Sequence, residues 1–400
     1  MKKKSIFIMA HSMDIGGAEK SLLGLLDSID TTRYQVDLFL LRHEGELLEN
    51  IPSSINLMPP NRCYSLLGVP IKEVIKSGHL KIAYRRYVGK KEAGKRLKEL
   101  KIHSDNNIVN EYSHKYTVDV LPEISQKEYD LAISFMSPHY FVAEKVRAKR
   151  KVAWIHTDYS KLKVDVESET AMWDMYDKNI AVSEMVREAF LKTFPLLSNK
   201  VDVIENIIPY DYIQNNAEKF TVDDEMKNDG SIKFLSIGRF SFPKRFDEVP
   251  LICKRIREYG LNVKWYIIGF GGDEQLINSR IYENDMGEYV INLGKKDNPY
   301  PYIKACDFYI QPSRYEGKSI AVREAQLFSK PVIITNYTTA QSQLRDRIDG
   351  IIVPMELTQA ADAIAEFIKN IDLQQMIIHN TEKIDYIGKK EVDKIYALLE

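Results

Sequence analysis

Four hundred residues exceed what one ordinary hydrophobic core organises, so length alone predicts two domains of roughly 200 residues each. Hydrophobic residues at 44% and charged residues at 28% exclude a disordered chain. Lys plus Arg at 56 against Asp plus Glu at 57, a net charge of -1, excludes a dedicated nucleic-acid binder, and three scattered cysteines, Cys63, Cys253 and Cys306, exclude a disulfide framework or a Cys-rich zinc module.

At the N-terminus Lys2–Lys4 precede the apolar run Ser5–Ala10, which is too short for a signal peptide and is followed at once by His11, Asp14, Glu19 and Lys20. A buried first strand is expected there. No segment reaches the ~20 apolar residues that span a bilayer, so the expected location is the cytoplasm, with peripheral attachment to the inner face of the membrane left open. The strand runs into a loop with the pair Gly16-Gly17, ahead of a helix carrying Leu22, Leu23, Leu25 and Leu26. Glycines between a strand and a helix let backbone N–H groups approach an anion or a sugar. The loop lacks the G-x-G-x-x-G spacing of a dinucleotide site.

Further strands are predicted at Tyr34–Leu41, Leu131–Phe135, Lys151–His156, Asn179–Val182 and Val201–Ile204. A second series follows at Ile232–Ile237, Val263–Ile268, Val290–Leu293, Asp307–Ile310, Pro331–Thr335 and Gly350–Val353. These runs are apolar rather than alternating, as in parallel strands covered on both faces. Their alternation with helical stretches predicts an α/β protein of two doubly wound, Rossmann-like domains. The polar stretch Asn206–Ser231 is the expected junction.

Between Ile71 and His103, eleven Lys/Arg stand against three Glu, with Leu80, Tyr84, Tyr87, Val88, Leu97 and Leu100 interleaved. Such a segment is either a solvated helical face, weakened by Gly89 and Gly94, or a face that lies on an anionic membrane. The cluster Lys145, Arg147, Lys149, Arg150 and Lys151 reads as a helix end before a strand.

The second domain opens with a strand running into Gly238, with Arg239 and Lys244 five residues apart around the turn. Two cations at the carboxyl end of a parallel strand suit a diphosphate; the alternative is a pair of surface cations. From Pro312 to Ala325 a strand passes through a polar loop into a helix near Ser319. Backbone N–H groups from Gly317 through Lys318 and Ser319 to Ile320 are expected there at a positive helix end. Glu316 sits in the loop, free to face a glycosyl group, and Glu324 in the helix, where its two oxygens suit the hydroxyls of a ribose.

Glu316 and Glu324 resemble the paired-glutamate E-x(7)-E motif of the family 4 retaining glycosyltransferases. Gly238-Arg239 with Lys244 is similar to that family's donor-diphosphate motif, Asp14–Glu19 to its acceptor-side glycine loop, and Pro299–Asp307 and Lys330–Ile333 to its flanking segments. The similarity covers most of the chain and is densest from Ile232 to Pro354. It implies the GT-B architecture: an acceptor domain at 1–206, a nucleotide-sugar domain at 207–380, a C-terminal helix at 381–400 returning to the first domain, and a cleft between the two. It also implies transfer of a hexose from a UDP-linked donor, with retention, to a lipid-linked glycan in cell-surface polysaccharide synthesis, with no metal or other cofactor. Catalytic roles fall to Glu316, Arg239, Lys244 and His156, and donor contacts to Gly16, Gly17, Gly238, Arg239, Lys244, Gly317, Lys318, Ser319, Ile320 and Glu324. Asn206 matches the interdomain crossover. The chain departs from the pattern at Ser319, where many members have glycine, and at Lys318, where an aromatic residue is common. An inactive GT-B scaffold, an enzyme with a protein acceptor and a UDP-sugar epimerase are the alternatives.

Overall fold

The computed structural model describes residues 3–103, 105–316 and 318–400, with the backbone only at Lys161. The chain forms two compact units, Met1–Ile208 with Gly388–Glu400, and Pro209–Ile387. In the first, seven parallel strands run in the order β3-β2-β1-β4-β5-β6-β7. They are β1 (Lys4–Ala10), β2 (Tyr34–Leu40), β3 (Asn56–Leu57), β4 (Glu128–Ser134), β5 (Arg147–Ile155), β6 (Lys178–Ala181) and β7 (Val201–Val203). In the second, six parallel strands run β10-β9-β8-β11-β12-β13. These are β8 (Ile232–Ile237), β9 (Val263–Ile268), β10 (Val290–Gly294), β11 (Phe308–Gln311), β12 (Val332–Thr335) and β13 (Ile351–Val353). Both orders double back from a central first strand, so each unit is doubly wound. The central strands are apolar because helices cover both faces, and β1 has Ile6 through Ala10 wholly buried.

Three features differ from the expectations. The two-residue edge strand Asn56–Leu57 is too short to carry a periodic signal. The polar stretch 206–231 is not a linker throughout, because Tyr210–Ala217 is a helix of the second unit. Its Tyr212 ring meets Tyr300 edge-on at 6.0 Å, and the Asn216 carbonyl accepts from Asn298 Nδ2 at 2.7 Å. The cluster Lys145–Lys151 is mostly strand rather than helix end, forming the solvent-facing start of β5. There Arg147 pairs with Glu123 at 3.2 Å and Lys149 with Asp130 at 2.7 Å, which lets a charged sequence sit in a sheet.

The tail Gly388–Glu400 belongs to the first unit. Tyr396 stacks on Tyr34 with centroids 4.4 Å apart, its hydroxyl accepts from the Asp30 N–H at 2.8 Å, and Glu391 Oε2 accepts from the Glu205 N–H at 2.8 Å.

The basic segment forms a short helix, Ile71–Lys76, and a long one, Leu80–Glu99, which packs on the helix Asn106–Thr117. Gly89 is what permits that packing, since a Cβ there would stand 2.7 Å from the Tyr112 carbonyl oxygen. Gly94 faces open space, so no packing reason requires it. Gly89→Ala is expected to cost about 1–3 kcal/mol by overpacking, whereas Gly94→Ala should gain up to about 1 kcal/mol from helix propensity. Urea melts of the two variants check this, and equal shifts of the same sign would contradict it.

At the carboxyl edge of the first sheet lies a cavity of about 720 Å³, walled by residues that follow β1, β2, β4 and β5. His114, His139 and His156 line it, and burial holds them down to about 3, about 3 and about 4. Below the ordinary value of 6.5 the unfolded chain takes up protons that these folded rings refuse. Each therefore removes about 1.4 kcal/mol of stability per pH unit as pH falls from 6.5 towards its folded value. Two cavity carboxylates act in the opposite sense. Burial raises Glu111 and lifts Glu169 to about 7, so both gain stability on acidification towards 4.5. Three histidines outweigh two glutamates, and the thermal midpoint is expected to fall between pH 6.5 and 4.5. A flat or rising midpoint in a calorimetric series would refute this balance.

Candidate functional site

In the second unit β8 and β11 are neighbours in the sheet, so the loops that leave their carboxyl ends emerge side by side. The loop after β8 is zipped to the loop after β9: the Gly238 N–H donates to the Ile268 carbonyl at 3.0 Å and the Phe240 N–H to the Phe270 carbonyl at 2.8 Å. A Cβ at Gly269 would overlap the Gly238 carbonyl, so these two backbones touch only because a glycine stands there. The run Gly269-Phe270-Gly271-Gly272 was missed in the sequence, although three glycines directly after an apolar strand were a usable signal.

A Cβ at Gly238 would lie 3.2 Å from Lys244 Cε, so the glycine gives the lysine stem room to cross the turn. Lys244 Nζ then meets Glu316 Oε1 at 2.5 Å, the two side chains 20% and 11% exposed. The same oxygen accepts from Ser313 Oγ at 2.7 Å and Gln311 Nε2 at 3.4 Å. Gln311 in turn donates to Ser313 Oγ at 2.9 Å and accepts from the Tyr309 hydroxyl at 2.8 Å. Tyr309, Gln311 and Ser313 follow the two-residue period of a strand and form one buried polar row that ends on Glu316. Sequence reading overlooked this row, whose signal is two polar residues alternating at the end of an apolar strand.

Arg314 joins the two loops. Its N–H donates to the Pro243 carbonyl at 2.7 Å and Nη1 to the Phe242 carbonyl at 2.7 Å. Its fork takes both oxygens of Asp247 at 2.9 Å, and Nη2 also reaches Glu248 Oε1 at 2.5 Å. Arg245, in the left-handed region at φ 61°, closes on Glu248 Oε2 with Nε at 2.8 Å. Arg239 is exposed on the turn.

Glu324 is buried in the helix Ile320–Leu327 and accepts from the Tyr300 hydroxyl at 3.0 Å. Burial, reinforced by that carboxylate, keeps the Tyr300 phenol well above its usual value and therefore a donor. The expectation of free N–H groups at this helix end needs correction. The Ser319 N–H already donates to Gln343 Oε1 at 2.6 Å, and Gln343 Nε2 returns to the Ser319 carbonyl at 3.3 Å. A buried helix start needs partners for its first amides, and a side chain twenty-four residues on supplies one. Lys318 is half-buried beside it and Ile320 begins the helix, while Gly317 lies outside the described residues.

The structure thus brings Gly238, Lys244, Glu316 and the start of the Ile320–Leu327 helix together on neighbouring strands. Gly16, Gly17 and His156 lie in the first unit. Gly16 caps the helix Gly17–Ser28, and the Glu19 carboxylate folds back over the position a Gly16 Cβ would take. Asp14 stands nearby and accepts from Ser12 Oγ at 2.7 Å. Two carboxylates at that helix end suit sugar hydroxyls better than a diphosphate. His156 Nε2 donates to the Phe135 carbonyl at 2.9 Å, so the neutral ring presents Nδ1 as an acceptor.

Residues 218–384, nearly all of the second unit, match the family model described as glycosyl transferases group 1. An uncharacterised glycosyltransferase of Methanocaldococcus jannaschii is 26% identical over 38% of this chain and 37% of its own length. The N-acetylgalactosamine-N,N'-diacetylbacillosaminyl-diphospho-undecaprenol 4-alpha-N-acetylgalactosaminyltransferase of Campylobacter jejuni is 27% identical over 42% of this chain and 44% of its own. The chain therefore spans about two fifths of the length of these two curated relatives. Among solved structures, Anabaena HepE in complex with UDP-glucose has a TM-score of 0.64 at 15% identity, covering 98% of this chain and 99% of that one. Staphylococcus aureus TarM has a TM-score of 0.67 at 15% identity, covering 100% and 99%. At such identities the likeness is one of fold. Two doubly wound parallel sheets in these orders give the chain the GT-B fold, and the match to the glycosyl transferases group 1 model covers its second unit.

Proposed function

We propose that this protein is a retaining, family 4 glycosyltransferase that moves a hexose from a UDP-linked donor to a growing, lipid-linked glycan in cell-surface polysaccharide synthesis. The observation that carries the reading is the Lys244–Glu316 pair, held at the carboxyl ends of two neighbouring strands and followed by the buried Glu324. Names of relatives support the finer points. The Campylobacter relative acts on a diphospho-undecaprenol acceptor, and an Escherichia coli relative, 28% identical over 88 residues, is named for UDP-galactose and another such acceptor.

In this reading the bond from the anomeric carbon to the diphosphate breaks while an acceptor hydroxyl oxygen bonds to the same face of that carbon. The hydroxyl proton passes to the departing phosphate oxygen. Lys244 and Arg239 stabilise the charge that develops on the diphosphate, with no metal or cofactor assigned. Lys244 exchanges its carboxylate partner for phosphate as the donor enters, which releases Glu316 to orient the sugar and to face positive charge at its anomeric carbon. Glu324 accepts from the ribose, and the Nδ1 of His156 serves a bound sugar. An inactive scaffold gains no support from a chain in which Arg239, Lys244, Glu316 and Glu324 are all present.

Lys244→Ala and Arg239→Ala are each expected to cost about 2–4 kcal/mol of transition-state stabilisation. Glu324→Ala should chiefly weaken UDP, whereas Glu316→Gln should lower turnover more than UDP affinity. Steady-state kinetics over a panel of nucleotide sugars, with UDP titrations, separates the roles. Wild-type UDP affinity in Glu324→Ala would remove the ribose assignment, and near-normal turnover in both cation variants would remove them from the mechanism.

For the lipid-linked acceptor we propose that the helix Leu80–Glu99 rests on an anionic membrane surface. Among the described residues no helix is long and apolar enough to cross a membrane. Leu80, Tyr84 and Tyr87 are 63%, 64% and 58% exposed along one stripe of this helix, with Lys91 and Lys98 continuing it. Arg85 and Arg86 take no part, because their guanidinium groups are bonded inward to the Tyr116, Leu66 and Val69 carbonyls. Replacing Lys81, Lys90, Lys91 and Lys98 with Gln should therefore abolish co-sedimentation with anionic liposomes, and added salt should do the same to the parent. A Gln variant that sediments like the parent would leave the helix a solvated face.

A further inference from the structure

The cavity in the first unit contains buried polar atoms that no protein group satisfies. Arg42 Nε, Arg86 Nε, Glu111 Oε2 and Trp173 Nε1 all belong to residues that line it. Buried donors and acceptors ordinarily find partners, and four orphans on one cavity, three of them on charged groups, mark positions built for something that is not protein.

Arg86 is anchored but not neutralised. Its Nη1 donates to the Leu66 and Val69 carbonyls at 2.9 and 2.6 Å, and among the described residues no carboxylate pairs with it. Burial pulls the guanidinium below its usual value, which is the mark of a desolvated cation without a counter-charge. Arg42 pairs through Nη1 with Glu44 at 2.8 Å, and its Nε is a second buried donor. The histidines nearby do not add to this charge, since burial and then the two arginines hold His11 and His114 down.

Glu111 supplies the opposite chemistry. Its Oε1 is fixed by the Tyr140 hydroxyl at 2.6 Å and Ser168 Oγ at 2.7 Å, which sets the carboxylate plane and holds Oε2 in one place. Glu111 precedes His114 by three residues on the helix Asn106–Thr117, and the field of Arg86 reaches His114. Cation and carboxylate thus line the same cavity. The rings of Trp154, Tyr159 and Trp173 line the same space. A volume of about 720 Å³ lies within the range of small-molecule sites.

We propose that this cavity binds a glycosyl phosphate or diphosphate ester, with phosphoryl oxygens on Arg42 and Arg86 and a sugar hydroxyl on Glu111 Oε2. Guanidinium forks match phosphoryl oxygens in geometry as well as charge. A carboxylate with one fixed oxygen and one unpartnered oxygen accepts from a hydroxyl, and aromatic rings give the C–H face of a pyranose an apolar wall. A neutral glycan satisfies Glu111 but offers the guanidinium N–H groups only neutral oxygens and leaves Arg86 without a counter-charge, whereas a phosphorylated one supplies acceptor and charge together. The proposal rests on the function given above only in taking this ester to be the acceptor; the site itself stands on the cavity.

The test is a calorimetric titration of the full chain with glucose 1-phosphate, octyl-diphospho-glucose and octyl glucoside, and separately with UDP. Arg86→Gln and Arg42→Gln should each weaken the two phosphorylated ligands at least tenfold and leave octyl glucoside unchanged. Glu111→Gln should weaken all three. Because Arg86 also holds two carbonyls, Arg86→Lys is included; with its charge kept, it should lose less than Arg86→Gln at an unchanged melting temperature. Octyl-diphospho-glucose binding at least tenfold tighter than glucose 1-phosphate identifies a lipid-linked ester, and equal affinities identify a free glycosyl phosphate. Parent-like affinity of Arg86→Gln and Arg42→Gln for both phosphorylated ligands overturns the proposal, as does parallel loss of UDP binding in those variants. If the parent binds the phosphorylated ligands but not UDP, the donor assignment falls and the cavity site stands. If it binds UDP but none of the three ligands, the reverse holds.

Discussion

The geometry of the second unit depends on one arginine that bridges two loops. Strands β8 and β11 are paired, but pairing fixes only where their loops begin. Beyond the strand ends, the backbone around Phe242–Lys244 and the loop Pro312–Glu316 would each have many conformations, and ordering them costs conformational entropy. Arg314 removes that freedom by spending its backbone N–H and its planar fork on the opposite loop: two carbonyls and the carboxylates of Asp247 and Glu248. At 17% and 18% exposure the Arg314–Asp247 pair is partly desolvated, so its geometry is worth more as registration than as net stability. Lysine could not do the same, because a point charge has no fork. The short Lys244–Glu316 contact is a consequence of this registration.

That hierarchy explains what was legible in the sequence. The central strands were legible because a parallel strand covered on both faces is a plain apolar run, and Glu316, Glu324, Gly238 and Lys244 because they follow recognisable spacing around such runs. Asn56–Leu57 was not, since two edge residues carry no period. Tyr210–Ala217 was hidden because its composition is polar and its partners, Asn298 and Tyr300, lie more than eighty residues on. The same holds for Gln343 on the Ser319 amide and for Arg314 on Asp247. Long-range polar contacts have no local signature, and it is they that decide which donors around the candidate site are engaged.

The first unit shows the same point through charge. Counted in sequence, the segment 71–103 holds eleven cations and reads as a uniformly basic patch. In the fold the cations divide by chemistry. Arg85 lies against the Tyr116 carbonyl and Asp119, Arg86 against two carbonyls, and Arg96 against Asp165 and Glu167. Each uses a planar group with several donors to brace one element against another. The remaining cations of the segment are lysines, and among the described residues only Lys95 of them pairs, with Glu92 one turn away. Lysine suits the solvated side, where a flexible stem and a strongly hydrated ammonium lose least by staying in water.

This division limits what electrostatics can do on each side of the helix. The seven lysines of the segment that have no partner among the described residues, Lys72, Lys76, Lys81, Lys90, Lys91, Lys98 and Lys101, carry the charge that an external anionic surface would meet. That attraction is screened within a Debye length and weakens as salt rises. Arg86 belongs to the other side, where its guanidinium lines the cavity and salt screens it far less. One basic segment therefore presents two electrostatic functions that respond differently to ionic strength. A total charge of -1 conceals both of them, because net charge records neither where a cation sits nor which of its donors are already spent.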